Sequence, residues 1–197
     1  DTVITSKLTT PEASELHALL ARMREEGVRA AAIEVSAQAL TRHRVDGIVF
    51  DVVGFTNLSH DHLDDYAAMD DYFAAKLELF QPDRARRGVV TVDSEWGHAL
   101  VEQSRIPVAT LSSSAGSDAE WTLTVLEETL ASTRFSLEGP DGRGLETSIP
   151  LLGAYNAANA ALAIVMLVES GYDLDAIGAA LERDGGIDAY IPGRAER

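Results

Sequence analysis

Between residues 48 and 111, apolar runs of strand length alternate with segments of helical period, and few architectures accept that alternation. Residues 48–55 are apolar and rich in β-branched side chains. Residues 69–80 carry Met69, Phe73, Lys76 and Phe80 at i, i+4, i+7 and i+11, which is one stripe of a helix. Residues 88–93 read as a strand, 95–103 as a helix and 106–111 as a further short strand. This order predicts an α/β fold, a mostly parallel sheet flanked by helices. From 120 to 150 the rhythm changes. Three β-rich segments, 121–125, 133–137 and 145–149, are split by turns such as Gly139-Pro140-Asp141-Gly142, and predict a small antiparallel β extension or flap.

The flanks are helical. Thr10 as N-cap with Pro11 at the first helical position predicts a helix through Leu16, Leu19, Leu20 and Met23, stopped by Gly27. Residues 30–35 read as a buried strand with Glu34 near its carboxyl end. That acid reads either as exposed at the strand edge or as paired or metal-bound. A short helical turn follows at 36–40. Helices are expected from Asn156 to Glu169 and, capped by Asp173, through Leu181 to the stop at Asp184-Gly185-Gly186. Residues 191–194 run off as an extended tail.

Composition narrows the class. With 197 residues and 46% hydrophobic side chains the chain is globular, one domain or one plus an appendage. Its formal charge of −16 argues against a nucleic-acid or anionic-membrane surface. An anionic substrate would need magnesium or a few placed arginines, and Arg42 and Arg44, flanking His43, are candidates for it or for a surface salt bridge. The chain has no cysteine, which excludes disulfides and thiolate zinc sites and points to the cytoplasm. No apolar run is long enough to span a bilayer.

Three features carry chemistry. Asn57-Leu58-Ser59-His60-Asp61-His62-Leu63-Asp64-Asp65 directly follows an apolar strand, where α/β proteins bind ligands, and its oxygen-rich set suits magnesium or manganese. Lys76 lies on the apolar side of its helix. It reads as a lysine extending over its own stem, or as a partly buried amine of lowered pKa able to react, for example with carbon dioxide. Asn156 and Asn159 share a helix face and read as a cap or as a pair facing a polar ring edge.

Separated stretches together resemble the central domain of the Mur ligases, and more narrowly the branch that adds the third residue of the peptidoglycan stem peptide. They are Thr9-Thr10-Pro11-Glu12, Glu34-Val35-Ser36 with Ala39-Leu40, Arg44-Val45-Asp46-Gly47, Phe55-Thr56-Asn57-Leu58-Ser59 with Asp61-His62-Leu63-Asp64, Tyr72-Phe73-Ala74-Ala75-Lys76, Gly153-Ala154-Tyr155-Asn156 with Asn159-Ala160, and Pro192-Gly193-Arg194. The resemblance implies a P-loop-like domain over residues 1–191, with 192–197 starting a linker to a further domain. It implies an ATP- and magnesium-dependent ligase acting on a UDP-muramoyl-dipeptide and a diamino acid. Composition adds the expectation of a cytoplasmic protein that binds neither nucleic acid nor membrane, with monomer as the default state. The resemblance places Leu8, Thr9, Thr10, Ser36, Arg42 and Arg44 at the UDP substrate, and Glu34, His62 and a carbamylated Lys76 at the second metal and the chemistry. Asn156, Asn159 and Arg194 fall at ATP.

Ala37 and Gln38 depart from the pattern, which has a serine and a histidine there. No G-x-x-x-x-G-K-[ST] phosphate loop occurs in the chain. The chain opens on Asp1-Thr2-Val3 and ends on Glu196-Arg197, and reads as a piece of a longer protein, one expected to turn over no ATP by itself. Three other readings are another Mur or folylpolyglutamate-type ligase, a non-catalytic binding module, and a metal-dependent hydrolase using His60, Asp61, His62 and Asp64.

Overall fold

The computed structural model describes residues 8–58 and 68–188. Among them, six strands form one sheet in chain order: β1 (Phe50–Phe55), β2 (Ala85–Thr91), β3 (Val108–Ser112), β4 (Trp121–Glu128), β5 (Thr133–Glu138) and β6 (Gly144–Ile149). The first four run parallel, and β4–β5–β6 form antiparallel hairpins. Helix α3 (Met69–Leu77), with a 3-10 turn at Glu78–Phe80, connects β1 to β2, and α4 (Glu95–Gln103) connects β2 to β3. Helices α1 (Ala13–Glu25) and α2 (Ala37–Thr41) precede the sheet, and α5 (Ala154–Glu169) and α6 (Leu174–Asp184) follow it.

Both faces of the parallel part are covered. Neighbouring residues of β2 enter different cores: Val90 packs with Phe55, Phe73, Phe80 and Leu100, whereas Val89 packs with Leu111, Leu162 and Val165. Side chains that alternate across a strand explain the split, and a sheet buried on both sides explains why the sequence reads as continuous apolar runs. In the hairpins only one face is apolar. Trp121, Leu123, Phe135, Leu137 and Ile149 point into the second core beneath α5, with polar residues between them on the other face. The β-rich segment is therefore an extension of the main sheet, joined through Leu111↔Trp121 and Ser112↔Thr122, and not a flap. Phe135 is fully buried, and deleting its ring would cost about 3–5 kcal/mol.

Two expectations at the amino end are corrected. Residues 30–35 form no strand, and Ala30, Ala31 and Ala32 are exposed. Alanine brings little surface to a pleated sheet, and hydrogen bonds from Thr10, not a ladder, hold the end of this segment. Nor does Thr10 cap α1. The N-cap is Glu12, whose side chain makes no capping bond, because the Thr10 hydroxyl is engaged elsewhere. At the other end Gly27 takes φ +79 and the Val28 N–H donates to the Met23 carbonyl, as the sequence predicts for a helix stop. The expected tail at 191–194 and the linker start at 192–197 lie outside the described residues. Among the described residues no helix is long and apolar enough to cross a membrane.

Candidate functional site

Thr10, Ser36 and Arg44 come together from three separate segments. Thr10 is fully buried; its hydroxyl donates to the Glu34 carbonyl at 2.8 Å and accepts from the Ser36 N–H at 3.1 Å. Arg44, only 4% exposed, donates from Nη1 to the Thr10 carbonyl at 3.3 Å and pairs through Nη2 with Glu12 at 2.9 Å. Its Nε is buried without a hydrogen bond. Ser36 is the N-cap of α2, its hydroxyl accepting from the Ala39 N–H at 3.2 Å. The polar groups of Thr10 and Arg44 are thus turned toward the protein's own backbone, while Leu8, Thr9 and Arg42 are exposed beside them.

Lys76 lies within electrostatic reach of Glu34, a residue 42 positions earlier in the sequence. Burial pushes the Lys76 ammonium below its ordinary value, with the Glu34 carboxylate pulling the other way. Nζ stands over the Tyr72 ring, 5.1 Å from its centroid. Tyr72, Phe73 and Ala75 are buried around it, so the apolar side of α3 sets the amine's surroundings as the sequence stripe predicted.

On the opposite face of the sheet, Asn156 and Asn159 occupy different environments. Asn156 is 6% exposed and donates from Nδ2 to the Leu152 carbonyl at 2.7 Å, closing the turn into α5. Asn159 is exposed. Both lie on α5, away from the core that holds Lys76.

One constellation escaped the sequence reading. Asp93, just past β2, accepts from Ser112 Oγ, from the Ser113 N–H at 3.0 Å, from Ser113 Oγ at 2.6 Å and from Ser114 Oγ at 3.2 Å. Burial alone would raise its carboxyl, but these bonds outweigh that and hold it below the ordinary carboxylate value. The signal was a lone acid at one strand's end and a serine run at the next, which only strand pairing brings together.

His62 and Arg194 lie outside the described residues, as do His60, Asp61 and Asp64. Among the described residues no three His, Cys, Asp or Glu side chains converge as a metal site requires. Of the three expected metal ligands, the described residues contain Glu34, whose carboxylate is a donor of the kind magnesium takes, and Lys76.

The Mur ligase middle domain family model matches residues 1–167. The UDP-N-acetylmuramyl-tripeptide synthetase of Leifsonia xyli subsp. xyli (strain CTCB07) is 89% identical over 194 residues, covering 98% of this chain and 38% of that protein. The UDP-N-acetylmuramoyl-L-alanyl-D-glutamate–2,6-diaminopimelate ligase of Streptomyces coelicolor is 43% identical over 197 residues, covering 100% of this chain and 38% of the relative. The chain therefore spans about 38% of the length of these curated relatives. A solved UDP-N-acetylmuramoyl-L-alanyl-D-glutamate–2,6-diaminopimelate ligase superposes with a TM-score of 0.79 at 24% identity, over 91% of this chain and 37% of that one. At that identity the superposition speaks for the fold.

Proposed function

We propose, from the premise that this chain belongs to the Mur ligase family as its middle domain, that the full-length protein is an ATP-dependent amide-bond ligase of peptidoglycan synthesis. It adds a diamino acid to UDP-N-acetylmuramoyl-L-alanyl-D-glutamate. The observation that carries this reading is the 89% identity over 194 residues to a tripeptide synthetase. The buried setting of Lys76 on the apolar side of α3, within electrostatic reach of Glu34, is in keeping with it.

In this reading ATP transfers its γ-phosphoryl group to the substrate carboxylate. The incoming amine attacks the acyl phosphate, the C–N bond forms, and phosphate leaves. Glu34, His62 and Lys76 would hold a magnesium ion, which neutralises phosphate charge when bound. Lys76 would react through the fraction of its amine that has lost its proton, a fraction that burial increases. Its nitrogen adds to carbon dioxide and releases a proton, leaving a carbamate that extends the side chain toward Glu34. Ser36, Arg42, Arg44, Thr9, Thr10 and Leu8 form the wall for the UDP substrate. Arg42 and Thr9 would touch it directly, while Thr10 holds the 34–36 segment and Arg44 holds Thr10 in place. Asn156, Asn159 and Arg194 serve the nucleotide. The protein works in the cytoplasm as a monomer. The 197-residue piece, which contains no Gly-Lys-Thr phosphate loop, turns over no ATP alone.

The test is ADP release by the full-length protein with UDP-muramoyl-dipeptide and a diamino acid, against a folate substrate in parallel. Release that requires the dipeptide supports the reading. Release with folate only, or none with either, ends it.

A further inference from the structure

The chain turns twice between α2 and β1. Helix α2 ends in a hydrogen-bond pattern that calls for a left-handed residue: the His43 N–H donates to the Leu40 carbonyl at 3.0 Å, and the Arg44 N–H to the Ala39 carbonyl at 2.8 Å. That residue is His43, at φ +57. Glycine adopts this conformation freely, whereas a residue with a Cβ is strained in it. Past the turn the Arg44 side chain runs inward to Thr10 and Glu12, and Arg42, before it, is exposed.

The second turn, at 45–48, closes with the Ile48 N–H donating to the Val45 carbonyl at 3.1 Å and has Gly47 at φ +80. Asp46 sits in this turn and meets three separate segments. Its Oδ2 lies 3.1 Å from His43 Nδ1, its Oδ1 accepts from Nη1 of Arg84, and its carbonyl accepts from His17 Nε2 of α1 at 2.9 Å. Arg84 immediately precedes β2; its side chain is only 17% exposed and its carbonyl accepts from the Phe50 N–H at 2.8 Å. The junction is therefore moored to the sheet. The hydrogen bond from Arg84 holds the Asp46 carboxyl below its ordinary value, so the carboxylate keeps its charge. His43 thus supplies what glycine at this turn could not, a side chain that reaches Asp46.

We propose that Asp46 is a positioning residue of this domain: holding His43 on one side and Arg84 on the other, it fixes the strained turn that presents Arg42 to the UDP substrate. This rests on the ligase reading above, in which Arg42 touches that substrate. A strained backbone conformation persists only where its surroundings hold it. With the clamp gone, Arg42 is no longer pre-set, and binding must then order it. The chemistry at Lys76 is left as it was.

The experiment is steady-state ligation by the full-length protein, varying UDP-muramoyl-dipeptide, with thermal melts of the same variants. Asp46→Ala should raise KM for the dipeptide about 3- to 10-fold with kcat within about twofold, and should hardly move the melting temperature, because exposed ion pairs stabilise little. Asp46→Asn, which still accepts from Arg84, should recover part of the loss. His43→Gly removes strain and clamp together, so KM should rise at a melting temperature no lower than that of wild type. The double variant should be no worse than Asp46→Ala, since both changes break one contact. A KM within about twofold of wild type for Asp46→Ala, a KM that rises only as the melting temperature falls, or additive losses in the double variant overturns the positioning role alone. A wild-type protein that releases no ADP with the dipeptide overturns the ligase reading and this proposal with it.

Discussion

The Lys76 ammonium stands 5.1 Å from the centroid of the Tyr72 ring, four residues earlier on the same helix. The ring face favours a cation there, and burial disfavours it. The amine is held between two opposed influences, with the Glu34 carboxylate as a third.

If that amine is the carbamylation site, Lys76→Ala in the full-length protein should lower ligation by about 100-fold or more. Added formate or acetate should restore part of it by standing in for the missing carboxylate. With 13C-bicarbonate, a carbamate resonance should appear in the wild type and vanish in the variant; Lys7 is the other lysine of this chain. Near-normal turnover in Lys76→Ala would count against the role.

Asp93 should act as an acid-sensitive latch on the serine loop. Its carboxyl pKa is depressed in the folded state, so the unfolded chain binds the proton more tightly. The stabilisation is therefore fully present above the ordinary value of 3.8 and is lost as pH falls through the lower folded value. Asp93→Asn should remove that acid-limb dependence and cost about 1 kcal/mol near neutral pH, a small figure because solvent reaches the group. Acid titration of the thermal midpoint in both proteins reads it directly, and identical acid limbs would refute the latch.

Two glycines should differ sharply under the same substitution. A Cβ at Gly97 would lie 2.1 Å from the Thr91 carbonyl oxygen, which is backbone and cannot swing aside. One at Gly54 would lie 2.6 Å from Met166 Sδ, the flexible part of a side chain. We expect Gly97→Ala to cost about 3 kcal/mol or more and Gly54→Ala about 1 kcal/mol. Denaturant melts of the two variants that coincide would show that α4 has room to shift.

Thr10→Val keeps the shape of the side chain and removes both hydrogen bonds to the 34–36 segment. With the Glu34 carbonyl and Ser36 N–H left unpaired, the loss should be about 1–3 kcal/mol. Thr10→Ser should recover most of it. A raised KM for the UDP substrate without any fall in melting temperature would instead make Thr10 a direct contact.

Much of the architecture was legible because its signals are local. Asp173 caps the helix the sequence assigned it, its side chain accepting from the Ala176 N–H. The β-rich segments around Trp121, Phe135 and Leu145, split by turns, announced antiparallel strands, and their alternating burial gives the sheet one wet face. The helical stripe through Phe73 and Lys76 places the amine on the apolar side of α3, and Tyr72, Phe73 and Ala75 are buried there. The misreadings came where a local pattern had a distant competitor. Residues 30–35 have a strand's apolar run but no neighbouring strand among the described residues, and Thr10 has a cap's chemistry but finds a better acceptor 24 residues away.

Outside the 30–35 segment and the start of α1, the sequence by itself determined the helices and the strands, since periodicity and turn signals act over a few residues. Only the tertiary structure decided which polar groups come near one another: Glu34 within electrostatic reach of Lys76, Thr10 bonded to Ser36 and Arg44, and Asp93 bonded to the serines past β3. Those encounters depend on strand order and on which helix covers which face, and hydrogen bonds reach barely 3 Å. No local pattern carries that information, because the partners lie between 19 and 42 residues apart along the chain.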